Sequence, residues 1–256
     1  MKTYAWKKNQ GVNLANGNAV HLIDPMNYFT DALVGAIQLL LQFSPEVYFI
    51  VWTSLKIALI ATTLAAIVAI PAGIYIAINK FIGKRLLLQL LNTLMAMPTV
   101  MIGLIFYGLL SRRGIFGDYG LLYTETAVIL GEASLILPII INMTVVAVQS
   151  ADNRLLPTLK SLGAKQTQLV LPLLTELRYV ILAAIITGFG RAIGEVGAAM
   201  MLGGNIHGVT RTMTTAIALE TSKGDFVLGL ALGIVLLSVA FSVNFILQQL
   251  TPENSH

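Results

Sequence analysis

The stretch from Ile57 to Asn79, IALIATTLAAIVAIPAGIYIAIN, holds no Asp, Glu, Lys or Arg. An α-helix needs roughly 20 predominantly apolar residues to cross the hydrocarbon core of a bilayer, and an uncharged run of this length is read as a membrane span. Three further runs are as free of charge: Leu86–Ser111, Ala133–Ala151 and Phe226–Pro252. Over the whole chain of 256 residues, 56% are hydrophobic and only 11% charged, whereas soluble domains are about half apolar and about a quarter charged. The mean hydropathy is +0.81. An all-α integral membrane protein is expected, and its few charges become the places to look for function.

One such place interrupts an apolar, glycine-rich stretch. In GFGRAIGEVGAAMMLGGNI, Gly188 to Ile206, Arg191 and Glu195 stand four apart. Tyr179–Gly190 and Val196–Ile206, on either side, carry no charge, so Tyr179–Ile206 is read as a fifth span. Residues at i and i+4 share a helix face and can pair, which lowers the cost of placing either charge in the membrane. Charges at that depth face a protein interior or an aqueous route, so the pair either braces helices or lines a path. Gly188, Gly190, Gly194 and Gly197 leave room beside a path or let helices pack. The GxxxG spacings Gly190/Gly194 and Gly229/Gly233 suit close packing. Pro71, Pro98 and Pro138 each remove a backbone donor within a span, which serves either gating or static shape.

Basic residues in short loops set the orientation. Lys80, Lys84, Arg85, Arg154, Lys160, Lys165 and Arg178 fall on one side and outnumber Arg112, Arg113, Arg211 and Lys223 on the other. The richer side is the cytoplasmic one, which puts the N-terminus outside, the C-terminus in the cytoplasm and five crossings between them. Lys2, Lys7 and Lys8 lie too far from the first span to count. The net charge of +4 suits an anionic lipid surface or an anionic cargo.

Residues 1–30 form a polar segment with basic residues but no apolar core of signal-peptide length. Residues 31–46 follow, in which the apolar run Ala32–Phe43 is too short to span. Gln38 and Gln42 take one face there, and Leu33, Ile37, Leu40 and Leu41 the rest. This reads as an amphipathic helix lying at the membrane interface or facing a partner. Residues 47–252 form the transmembrane domain.

The sequence offers no catalytic residue and no metal ligand set. There is no cysteine, and no G-x-x-x-x-G-K-[ST] for binding ATP; GKRLL at Gly83 lacks the upstream glycine and the hydroxyl residue. GFGRAIG has its third glycine one residue late for a dinucleotide fingerprint, and no strand precedes it. His21, His207 and His256 are scattered. Nothing points to nucleic acid.

The cytoplasmic loop 151–178 reads ADNRLLPTLKSLGAKQTQLVLPLLTELR. Leu155, Leu159 and Leu162 fall on one helical face with Lys160 and Lys165 off it, and Gly163 sits where a short helix would end or turn. Such a helix rests on lipid headgroups or docks a soluble partner.

This loop, followed by the charged small-residue helix, resembles the signature region of the permease subunits of type I ABC importers. The second half, GFGRAIGEVGAAMMLGGNI through TRTMTTAIALETSKGDF, is similar to the tungstate-specific branch of the tungstate and molybdate importer permeases. The resemblance runs from about Val47 to Leu250. The general pattern departs in two places: Pro157-Thr158-Leu159 stands where the family has Glu-Ala-Ala, and Leu173-Leu174-Thr175-Glu176 where it has Ile-x-Leu-Pro. Gly163 is retained, and the family's glutamate contact to the ATPase does not carry over.

The resemblance implies the type I ABC importer permease fold in the cell membrane of a prokaryote. It implies a homodimer, bound in the cytoplasm to ABC ATPase subunits that hold ATP and Mg, with no cofactor on this chain. An extracytoplasmic oxyanion-binding protein would load it. Leu155, Leu159, Lys160, Leu162, Gly163 and Ala164 would couple to the ATPase, and Arg191, Glu195, Gly194 and Gly197 would lie on the translocation path. Tungstate against molybdate or another oxyanion stays open, because the external binding protein largely sets selectivity. The competing readings are an ATP-independent secondary transporter or channel, and a membrane subunit that only tethers partners.

Overall fold

The computed structural model describes residues 25–42, 44–151, 161, 163 and 169–250. Helix α1 (Pro25–Leu41) precedes α2 (Pro45–Ile78), α3 (Lys84–Met95), α4 (Thr99–Leu110) and, after a 3-10 turn at Gly117–Tyr119, α5 (Glu125–Ser150). Then come α6 (Val170–Glu176), α7 (Arg178–Ile193), α8 (Gly197–Gly203), α9 (Met213–Lys223) and α10 (Phe226–Leu250). Three of these, α2, α5 and α10, are long and apolar enough to cross a membrane unaided. Counting the bent pairs α3–α4 and α6–α7 as one span each gives up to five candidate crossings among the described residues.

Two spans depart from the runs read in the sequence. Leu86–Ser111 is not one helix: α3 and α4 meet at a bend of 99°. Pro98 has no N–H to continue the ladder and disfavours helical backbone in the residue before it, so α3 ends at Met95 and Pro98 caps a new helix with φ −58°. Tyr179–Ile206 is not one helix either. It stops at Ile193 and restarts at Gly197, and at its other end α7 is preceded by α6, set at 81° to it. Pro71 and Pro138, by contrast, lie inside the continuous helices α2 and α5.

The first span also begins earlier than its uncharged run. Helix α2 starts at Pro45, a residue suited to a helical first turn, and passes through Lys56 because the ammonium has a partner, Glu125 of α5 at 2.7 Å. Helix α1 begins at Pro25, inside the stretch read as polar, and lies against α10. Ala32 and Ala36 are buried there, Gly35 approaches Val227, and the rings of Phe29 and Phe226 stand 6.3 Å apart. Its Leu33, Ile37 and Leu41 remain exposed.

The bundle centres on α2 packed along α5, with α7 against both. Small residues set these distances. A Cβ on Gly73 of α2 would stand 2.7 Å from Thr144 Cβ on α5, and one on Gly188 of α7 would stand 2.6 Å from Ile136 Cγ2. Gly73→Val is therefore expected to destabilise by about 1–3 kcal/mol through overpacking. Gly190→Ala, where a Cβ meets nothing within 4 Å, serves as the control. Thermal unfolding in detergent checks this, and equal melting temperatures for the two variants would refute the close α2–α5 contact.

Candidate functional site

Arg191 lies in the last turn of α7, where the helix dipole favours a cation, and Glu195 lies just past the helix end. The two still pair across the unwound turn, with Arg191 Nη1 donating to Glu195 Oε2 at 2.9 Å. Their surroundings differ. The Glu195 side chain is 3% exposed and that of Arg191 is 38% exposed.

Glu195 holds the break together. Its Oε1 accepts the backbone N–H of Ala198 at 3.1 Å, satisfying one of the free donors at the start of α8. Its main-chain oxygen accepts from Thr214 Oγ1 of α9 at 2.6 Å. Helix α9 is fixed in turn by Thr212, which forms a capping box with Thr215, and by the Met213 N–H, which donates to Ser54 Oγ of α2 at 2.6 Å. The backbone exposed by the break is thus paired within protein, the condition for tolerating it at membrane depth.

The glycines separate into two kinds. Gly190 and Gly194 face open space beside Arg191: a Cβ on Gly190 meets nothing within 4 Å, and one on Gly194 meets only the Gly190 carbonyl, at 3.5 Å. Gly188 and Gly197 are packing positions. Gly197 sits against Thr99 and Val100 at the start of α4, each 3.0 Å from its Cβ position, and Gly103 of α4 approaches Ala198 and Met201 in return. Gly229 packs on Thr221, while a Cβ on Gly233 meets nothing.

Several buried polar residues near the pair carried no signal as isolated sequence positions. Ser54, Glu132, Thr212 and Thr214 line a small space together with Ala192, Ile193 and Glu195. Glu132 merely bounded an uncharged run, and in the structure it lies inside α5 and is 3% exposed. Its position within a long apolar stretch was the available clue.

Of the residues expected to couple to an ATPase, Leu155, Leu159, Lys160, Leu162 and Ala164 lie outside the described residues. Gly163 has φ +82°, the left-handed conformation that glycine adopts without steric cost. His207, shortly after α8, lies 3.1 Å from Glu46 at the start of α2.

The unequal exposure of the pair predicts unequal consequences of breaking it. Arg191→Gln leaves the buried Glu195 carboxylate without its cation and is expected to cost on the order of 3 kcal/mol. Glu195→Gln is expected to cost about 1 kcal/mol, because its amide oxygen can still accept the Ala198 N–H and the half-exposed guanidinium can be hydrated. Thermal unfolding of both variants tests this, and a larger loss for Glu195→Gln would overturn the assignment of Glu195 as the uncompensated charge.

Comparison with known proteins places these features in a family. Residues 69–256 match the family described as binding-protein-dependent transport system inner membrane component. The chain is 40% identical over 228 residues to the tungstate uptake system permease protein TupB of Peptoclostridium acidaminophilum, covering 89% of this chain and 100% of that protein. It is 38% identical over 225 residues to TupB of Campylobacter jejuni, covering 88% of this chain and 94% of the other. The molybdenum transport system permease protein ModB of Escherichia coli K12 is more distant, at 26% over 188 residues, 68% of this chain and 82% of ModB. With well over half its sequence matched, and with three to five candidate membrane spans among the described residues, this chain belongs to the family of inner membrane components of binding-protein-dependent transport systems.

Proposed function

We propose that the chain is the membrane-spanning permease subunit of an ATP-driven tungstate importer. The observation that carries this is the similarity, 40% identity along nearly nine-tenths of the chain, to a permease of a tungstate uptake system, against 26% for a molybdenum permease. In this reading two copies of the chain enclose the path, since one five-crossing bundle is too narrow to enclose one alone. ABC ATPase subunits carrying ATP and Mg bind from the cytoplasm, and an extracytoplasmic binding protein delivers the oxyanion. The N-terminus lies outside and the C-terminus inside, as the distribution of Lys and Arg favours.

Arg191 supplies the positive charge that a dianion needs when it passes through low dielectric. Its partial exposure, and the open space at Gly190 and Gly194, support that role. Glu195 engages the guanidinium and so keeps it from trapping the anion, while its other contacts brace the break. Path and brace are thereby divided between the two residues of one pair. Gly197 and Gly188 belong to the packing that positions it.

On the cytoplasmic side, residues around Gly163 dock into the ATPase, with Leu155, Leu159 and Leu162 as the apolar face and Lys160 and Ala164 beside it. Valine cannot adopt the φ of +82° found at Gly163 without strain. Gly163→Val is expected to uncouple ATP hydrolysis from transport at unchanged expression.

The test is reconstitution of the purified chain into proteoliposomes. Uptake of tungstate is expected only when the ATPase, ATP and an oxyanion-binding protein are all present. Uptake by the chain alone would overturn the proposal in favour of a secondary transporter. Full coupling in Gly163→Val would overturn the docking role of that turn.

A further inference from the structure

Glu132 is the buried group that transport of an anion leaves unexplained. It sits in α5, 3% exposed, and its Oε2 has no hydrogen-bond partner. Around the small space it lines, the hydroxyl hydrogens are directed elsewhere. Ser54 Oγ donates to the Ile50 carbonyl at 3.0 Å, and Thr214 Oγ1 donates to the Glu195 carbonyl at 2.6 Å. Ser54 Oγ also accepts the Met213 N–H at 2.6 Å, and Thr214 Oγ1 lies 3.1 Å from Thr212 Oγ1, so what Ser54 and Thr214 have left to offer the space is a lone pair each, not a donor. Ala192 and Ile193, the last residues of α7, line the same space and bring the negative end of that helix to it.

The charges agree with the hydrogen bonds. Arg191 is engaged by Glu195, so the cluster carries one negative charge in excess whenever Glu132 is ionised. Among the described residues no cation lines the space: α4 has no charged side chain, Lys56 of α2 pairs with Glu125 at 2.7 Å, Lys223 pairs with Glu220 at 2.9 Å, and Arg211 stands 3.8 Å from Glu220 with its buried Nε unpartnered. A lining of acceptors with an excess negative charge selects a positive guest, and one too small to need a water-sized chamber.

We propose that this space is a binding site for one small monovalent cation, either an alkali-metal ion or a proton. Glu132 Oε2 holds it, in the space that Ser54 and Thr214 line with it at the carboxyl end of α7. Broken transporter helices offer cations this chemistry, through half-helix C-terminal ends and the backbone beside them. The bound charge neutralises the cluster next to Arg191 and ties α2, α5, α7 and α9 around the break. The proposal stands on the geometry and does not depend on which oxyanion is carried.

Thermal unfolding of the purified full-length chain tests it in two arms. Lithium or sodium chloride replaces choline chloride at constant ionic strength and pH, and separately the pH is varied in choline chloride. A saturable rise in melting temperature of several degrees is expected in one arm. A rise with alkali ions identifies the metal, and a rise with falling pH identifies the proton. Glu132→Gln is expected to abolish that response, with a melting temperature in choline chloride at or above that of the unsubstituted chain. Should Glu132→Gln fail to fold, Thr214→Val replaces it and is expected to shift the midpoint of the response. Indifference of the unsubstituted chain to both arms, or an unaltered response in the variant that is measured, overturns the proposal.

Discussion

The carboxylate of Glu195 is the interaction on which the interior of this bundle depends. In a bilayer, an ionised carboxylate and an unwound turn of backbone are each costly, and here each compensates the other. The carboxylate takes one donor from Arg191 at the end of α7 and one from the Ala198 amide at the start of α8. Thr214 adds a third link through the Glu195 carbonyl, and the Met213 amide passes the chain of bonds on to Ser54 of α2. Helices distant in sequence are thereby held at one point by groups that, Arg191 apart, are buried.

The second break is placed to meet the first. Pro98 ends α3 and starts α4, and the opening residues of α4 lie against Gly197 at the start of α8. Glycines on both sides, Gly103 and Gly197, let the two short helices approach where side chains would hold them apart. Interrupted helices in membranes persist only where their free backbone groups are buried in protein or line a cavity. Packing one short helix on the other meets that condition and leaves the Arg191 side of the break open.

Fixing this region divides labour within the ion pair. Glu195 is enclosed and bonded through both carboxylate oxygens, and Arg191 keeps part of its guanidinium accessible. A pair that only braced helices would gain from enclosing both partners. An anion path gains from a positive charge that is held in place yet reachable, with glycines beside it. Gly163, in the loop before α6, takes a left-handed conformation that a side chain resists.

The sequence alone determined that the chain is helical and crosses the membrane. The length of an uncharged apolar run, set against bilayer thickness, suffices for that. It also singled out Arg191 and Glu195, because a charge in such a run is conspicuous, and it offered Gly163 as a turn because the periodicity of leucines stops there. Where the spans break was not legible in full. Pro98 was visible as a possible kink, but nothing local at Gly194–Val196 forbids a helix, and only Thr214, Ala198 and Arg191, brought together in space, make the interruption more favourable than continuity. Glu132 was hidden for a related reason. A single acid at the edge of an apolar run reads as a boundary, and its burial follows from α7, α8 and α9 closing over it, an outcome of packing that no periodicity along α5 encodes.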